Sequence, residues 1–205
     1  EKNTEHQHVT IAIGFLGDIC NSFEDLQHPF IKKSTQTLID LLQNDSINLD
    51  TKPLILSCLG DLCYVSGKYF FEFQKLVIPI LKSVIASIDN QEKLPDQDLI
   101  QWMLVLKESI LESLTGLIQS DPDTSSRKKF FEKNFEFTWL VKSIYDIITK
   151  DRILRTTKLS IGLLGDCGAN YKAKKTYLSK CTWIKQLISE SIQNTGKNLS
   201  FMGNW

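Results

Sequence analysis

Three segments of this chain align without gaps around a Leu-Gly-Asp core, and that self-similarity limits the fold more than any other feature. They are Ile13 to Cys20 (IGFLGDIC), Leu56 to Cys63 (LSCLGDLC) and Ser160 to Cys167 (SIGLLGDC). A degenerate copy, Leu111-Glu112-Ser113-Leu114, lies between the second and third, so the acidic positions Asp18, Asp61, Glu112 and Asp166 follow one another at intervals of 43, 51 and 54 residues. A unit of that length holds two helices and cannot bury its apolar face alone; it does so by stacking on its neighbours.

Helical spacing of apolar residues runs almost throughout, as in Leu38, Ile39, Leu41 and Leu42, or Val77, Ile80, Leu81, Val84 and Ile88. No stretch sustains strand alternation. Breaks at Gln27-His28-Pro29, Asn44-Asp45-Ser46, Ser66-Gly67, 89–95, 120–126, Lys150-Asp151, 170–172 and 194–197 punctuate about nine helices. The expectation is an all-α solenoid of stacked antiparallel helix pairs over residues 1–205. Its units are an unpaired helix at 7–23, then 29–66, 69–118, 127–170 and 173–205, the last pairing one helix over 173–194 with a stub from Lys197. Neither end reads as a polar cap, which suggests one end of a longer solenoid.

Charge excludes some functions. Lys+Arg and Asp+Glu number 24 each, so no global field favours nucleic acid. Residues 1–124 nevertheless carry a net −9 and residues 125–205 a net +9. No apolar run reaches the roughly 18 residues of a membrane span, and residues 1–9 lack the pattern of a signal peptide. The five cysteines, Cys20, Cys58, Cys63, Cys167 and Cys181, are odd in number and form no CxxC pair, which suits a reducing compartment better than a disulfide or zinc framework. His6, His8 and His28 lack a fourth ligand for a metal. With no phosphate-binding glycine loop and no nucleophile elbow, an enzyme and a cofactor are not expected.

The helix from Pro53 to Gly67 (PLILSCLGDLCYVSG), followed by Tyr69-Phe70 and a long helix through Val84 to Ser87, resembles the C-terminal HEAT repeats of the importin-β (karyopherin-β) family. Leu106 to Ile118 (LKESILESLTGLI) resembles that family's Leu-Arg-Glu-Ser-x-Leu-Glu-x-x-Thr-Gly-Ile helix, and Gly162 to Cys167 (GLLGDC) its following Gly-Leu-Ile-Gly-Asp-Leu-Cys helix. Residues 119–129 and 194–205 depart from the pattern, and the family's acidic loop has no counterpart here.

The resemblance implies a nuclear import receptor of nucleus and cytoplasm, acting at the nuclear pore. Such a receptor grips the basic importin-β-binding segment of an importin-α adaptor, or a basic cargo segment, on its concave face. The GTPase Ran opposes that grip, and phenylalanine-glycine nucleoporins dock between outer helices. A row of carboxylates on second helices suits a Lys/Arg-rich helix, which makes Asp18, Asp61, Glu108, Glu112 and Asp166 candidates. Trp102 and Trp205 are candidate platforms for the adaptor's basic helix, whereas Trp139 and Trp183 are expected in the core. Tyr69, Phe70, Phe71, Phe73, Phe130, Phe131, Phe135 and Phe137 are candidates to line nucleoporin slots. The aspartates also fit a purely structural role between repeats, and a HEAT scaffold without transport function is the alternative.

Overall fold

The computed structural model describes residues 2–22, 28–66, 74–89, 97–120, 137–150, 153–171 and 175–194. Among these, all regular structure is helical: α1 (Lys2–Ser22), α2 (His28–Gln43), α3 (Thr51–Ser66), α4 (Gln74–Asp89), α5 (Gln97–Gln119), α6 (Phe137–Lys150), α7 (Leu154–Asn170), α8 (Lys175–Lys180) and α9 (Thr182–Asn194). None is long and apolar enough to cross a membrane. The chain divides into two compact units, Glu1–Phe137 and Thr138–Trp205.

In the first unit α3 is the hub, packed by α1, α2 and α5. Its sequence explains the position. Pro53 sits in the first turn, where a missing N–H costs no helical hydrogen bond. Beyond it Ile55, Leu56, Leu59 and Leu62 are completely buried, each adding about 1.5–3 kcal/mol of burial free energy. α5 is amphipathic by contrast. Leu106, Ile110, Leu114 and Leu117 face the core, while Gln101, Val105, Glu108, Glu112 and Thr115 form a stripe at helical spacing that stays wholly or partly exposed.

Two glycines set the distance between α3 and α5. A Cβ on Gly60 would lie 2.8 Å from the Ser113 Cα and 3.0 Å from the Glu112 carbonyl oxygen. One on Gly116 would run into the Gly60 carbonyl group, 2.7 Å from its carbon. The backbones therefore touch directly, and the Ser113 hydroxyl donates to the Leu56 carbonyl across the crossing. α1 joins the same layer: the Thr10 and Thr51 hydroxyls are 3.2 Å apart.

In the second unit Ile144, Ile147 and Ile148 of α6 and Ile161, Leu163 and Leu164 of α7 are buried. The single helix expected over 173–194 is broken. At Cys181 the backbone switches to three-residue turns, with Cys181 N–H donating to the Leu178 carbonyl (3.0 Å) and Ile184 N–H to that of Cys181 (3.1 Å). The run Cys181-Thr182-Trp183 has weak helix propensity, which lets the axis reset there. The expected starts near residues 69 and 127, the stub from Lys197, Trp205 and the aromatic residues at 69–73 and 130–135 lie outside the described residues. Phe137 is buried at the start of α6.

Candidate functional site

Stacking α1, α3 and α5 side by side brings several of the sequence-predicted acids together. The Asp61 Oδ2 oxygen lies 3.5 Å from where a Cβ on Gly17 would stand, so the aspartate of α3 rests on the glycine of the first Leu-Gly-Asp segment. Across the glycine crossing, Glu112 accepts a 2.7 Å hydrogen bond at Oε2 from the Ser57 hydroxyl of α3. Burial pushes the Asp61 carboxyl up from 3.8 to about 6, and the nearby negative charge of Glu112 adds to the rise. Glu108 stands one turn before Glu112 on the same half-buried stripe, and Asp18 is exposed on α1. Two carboxylates held close with few solvating waters attract a cation more strongly than either alone.

The surrounding thiols have no nucleophilic role in this arrangement. Burial pushes Cys20 up to about 12, with Asp61 adding to it. Burial likewise drives Cys58 and Cys63 upward, so all three stay protonated near neutral pH. No group of three or more His, Cys, Asp or Glu among the described residues could hold a metal.

The other predicted residues stand apart from this cluster. Trp102 is six residues from Glu108, about a third of a turn away around α5. Its indole N–H donates to the Leu49 carbonyl (2.9 Å), and its ring helps line a groove of about 450 Å³ with Leu42 of α2, Lys52 and Leu56 of α3, and Pro79, Ile80 and Val84 of α4. Asp166 is half-buried on α7 in the second unit. Trp139 and Trp183 are not the fully buried core residues expected: both are half-buried, and Trp183 meets the exposed Tyr145 edge-on with ring centroids 5.1 Å apart. Sequence reasoning missed Ser57, the residue that orients Glu112. Gly60 was the available signal, since it sits in the interior of α3, where glycine is costly unless something must approach closely.

A chain whose described residues are helical, with α1, α3 and α5 packed side by side through repeated Leu-Gly-Asp segments, is a helical-repeat protein. The sequence pattern described as "Importin subunit beta-1-like, TPR repeats" matches residues 1–192, and the chain belongs to that family. Importin subunit beta-1 of Arabidopsis thaliana is 26% identical over 162 residues, covering 79% of this chain and 18% of the plant protein. The Schizosaccharomyces pombe counterpart is 24% identical over 197 residues, covering 94% of this chain and 21% of its own length. The solved structure of yeast importin-β matches at a TM-score of 0.75 and 16% identity, over 96% of this chain and 22% of that one. The fold is thus the α-solenoid of stacked helix pairs, and the chain spans about a fifth of the length of these relatives.

Proposed function

We propose that this chain is part of an importin-β-type receptor for nuclear protein import, working between cytoplasm and nucleus, and that the face built by α1, α3 and α5 grips a basic helical segment of an importin-α-type adaptor or of cargo. The observation that carries this reading is the convergence of Asp61 and Glu112 at the α3–α5 crossing, with Glu108 one turn away on the same stripe. Like charges one turn apart cost a few tenths of a kcal/mol in an isolated helix, and two carboxylates across a buried crossing cost more. An arriving Lys or Arg offsets that cost and gains charge-assisted hydrogen bonds.

Asp18 extends the negative field at its exposed edge. Asp166 and Trp205 belong to the same proposal only through the family pattern. Ran-dependent release and docking of nucleoporin phenylalanines are proposed on the same basis, and the groove beside Trp102, between the first helices α2 and α4, is the place for such a ring.

Glu108→Lys combined with Glu112→Lys tests the grip. The pair is expected to keep the helical circular-dichroism signal and to weaken binding of a Lys/Arg-rich adaptor peptide at least tenfold. Unchanged affinity with the fold intact would refute the reading.

A further inference from the structure

The face built by α1, α3 and α5 carries more than acids. On α3, Leu54, Ser57, Asp61 and Tyr64 fall at helical spacing on one side of the helix, the side that meets Glu112 of α5 and Gly17 of α1. Tyr64 follows Asp61 by three residues, so the two side chains are neighbours with Cβ atoms about 5–6 Å apart. Asp61 is half-buried, whereas Tyr64 is 57% exposed. Because α3 is flanked by α1 on one side and α5 on the other, this exposure is not that of an edge helix; the ring stands on the open face of the layer. Beside Asp61 the flanking helices supply small residues. On α1 it is Gly17, where a Cβ would already lie 3.5 Å from the Asp61 Oδ2 oxygen, and on α5 it is Thr115, next to the Gly60–Gly116 contact. The result is a notch with a carboxylate at its base and one aromatic wall.

We propose, on the reading that this face grips a basic helix, that the notch selects arginine over lysine in that helix: a guanidinium pairs with the Asp61 carboxylate and lies flat on the Tyr64 ring. The guanidinium is planar, matches a carboxylate with two parallel N–H donors and stacks on aromatic faces. It is also more weakly hydrated than an ammonium, so it loses less on entering a half-buried site. A lysine can meet Asp61 as a point charge but gains less from the ring. The stripe on α5 offers a contrast within the same face. Glu108 and Glu112 share it with Gln101, Val105 and Thr115 and with no aromatic residue, so the acids there accept either cation. Tyr64 is thus the specificity-determining residue of the face, and Asp61 the acid through which it acts.

Fluorescence-anisotropy titration of the 205-residue chain with two labelled helical peptides tests this. The peptides share one sequence, with every basic residue arginine in the first and lysine in the second. The arginine peptide is expected to bind at least about fivefold more tightly at the same salt concentration. Tyr64→Leu should weaken the arginine peptide about fivefold and leave the lysine peptide within about twofold, whereas Tyr64→Phe should retain the preference, because the ring and not the hydroxyl is the platform. Asp61→Asn is the second variant should Tyr64→Leu fail to fold by circular dichroism; it is expected to bring the two peptides within about twofold of each other.

Equal affinities for the two peptides, or a preference that Tyr64→Leu and Asp61→Asn both leave intact, would overturn the assignment of arginine while the grip on a basic helix stands. Binding of neither peptide at low salt would overturn the grip, and the assignment with it.

Discussion

The same Leu-Gly-Asp glycine does opposite work in the two units. At Gly60 it is pressed against the backbone of α5, and that contact holds Glu112 within reach of Ser57 and Asp61. At Gly165 it lines a mostly apolar groove that no described helix fills, with Lys175 and Lys185 beside it. A repeat motif therefore specifies a slot for a neighbouring helix, while what fills the slot depends on the neighbour. The site in the first unit follows from a filled slot: closing it forces two carboxylates together.

The largest effect expected from this contrast is at the filled slot. Gly116→Ala places a methyl group against the Gly60 carbonyl and should cost about 2–3 kcal/mol of stability in chemical denaturation, in the usual range for overpacking. Gly165→Ala, at the open slot, should change stability by less than about 1 kcal/mol and in the favourable direction, because alanine is the better helix former. Equal losses at both positions would break the comparison.

Asp61→Asn sharpens it through pH. The Asp61 carboxyl is harder to ionise in the folded chain than in the unfolded one, so its contribution to stability is complete below about pH 4 and lost as pH rises through about 6. The asparagine variant should accordingly be the more stable protein at pH 7.5, with the advantage vanishing toward pH 4, as read by thermal melts at several pH values. A constant difference across that range would show that Asp61 is not held up by burial and Glu112. Affinity for a basic peptide should fall as the solution is acidified through about 6, since a protonated Asp61 offers the partner no charge.

A smaller effect is expected at Trp102→Phe. It removes the indole donor to the Leu49 carbonyl and should cost about 1 kcal/mol, leaving binding of a basic peptide within about twofold if the ring belongs to the α2–α4 groove and not to the acid face.

Much of the fold was legible because helical periodicity and repeated glycines act locally. Leu59 and Leu62 mark the buried side of α3 by spacing alone, and Asp61 and Glu112 are flagged by alignment of the repeats. The Ser57–Glu112 hydrogen bond was not legible, since it depends on the register between two helices 55 residues apart in sequence. The surroundings of Trp102 were not legible for a related reason: its bond to the Leu49 carbonyl and its place in the groove with Pro79 and Val84 of α4 depend on how separate helices pack. The break at Cys181 escaped because Leu178, Ile184 and Leu187 still bury apolar side chains on either side of it.

The most direct test of the central claim is a fluorescence-anisotropy titration of the chain with a labelled Lys/Arg-rich helix taken from an importin-α amino-terminal segment, at two salt concentrations. Saturable binding that weakens steeply with salt, and that Glu108→Lys with Glu112→Lys reduces at least tenfold, is the predicted result. Absence of binding at low salt, or binding indifferent to both salt and those substitutions, would contradict the account.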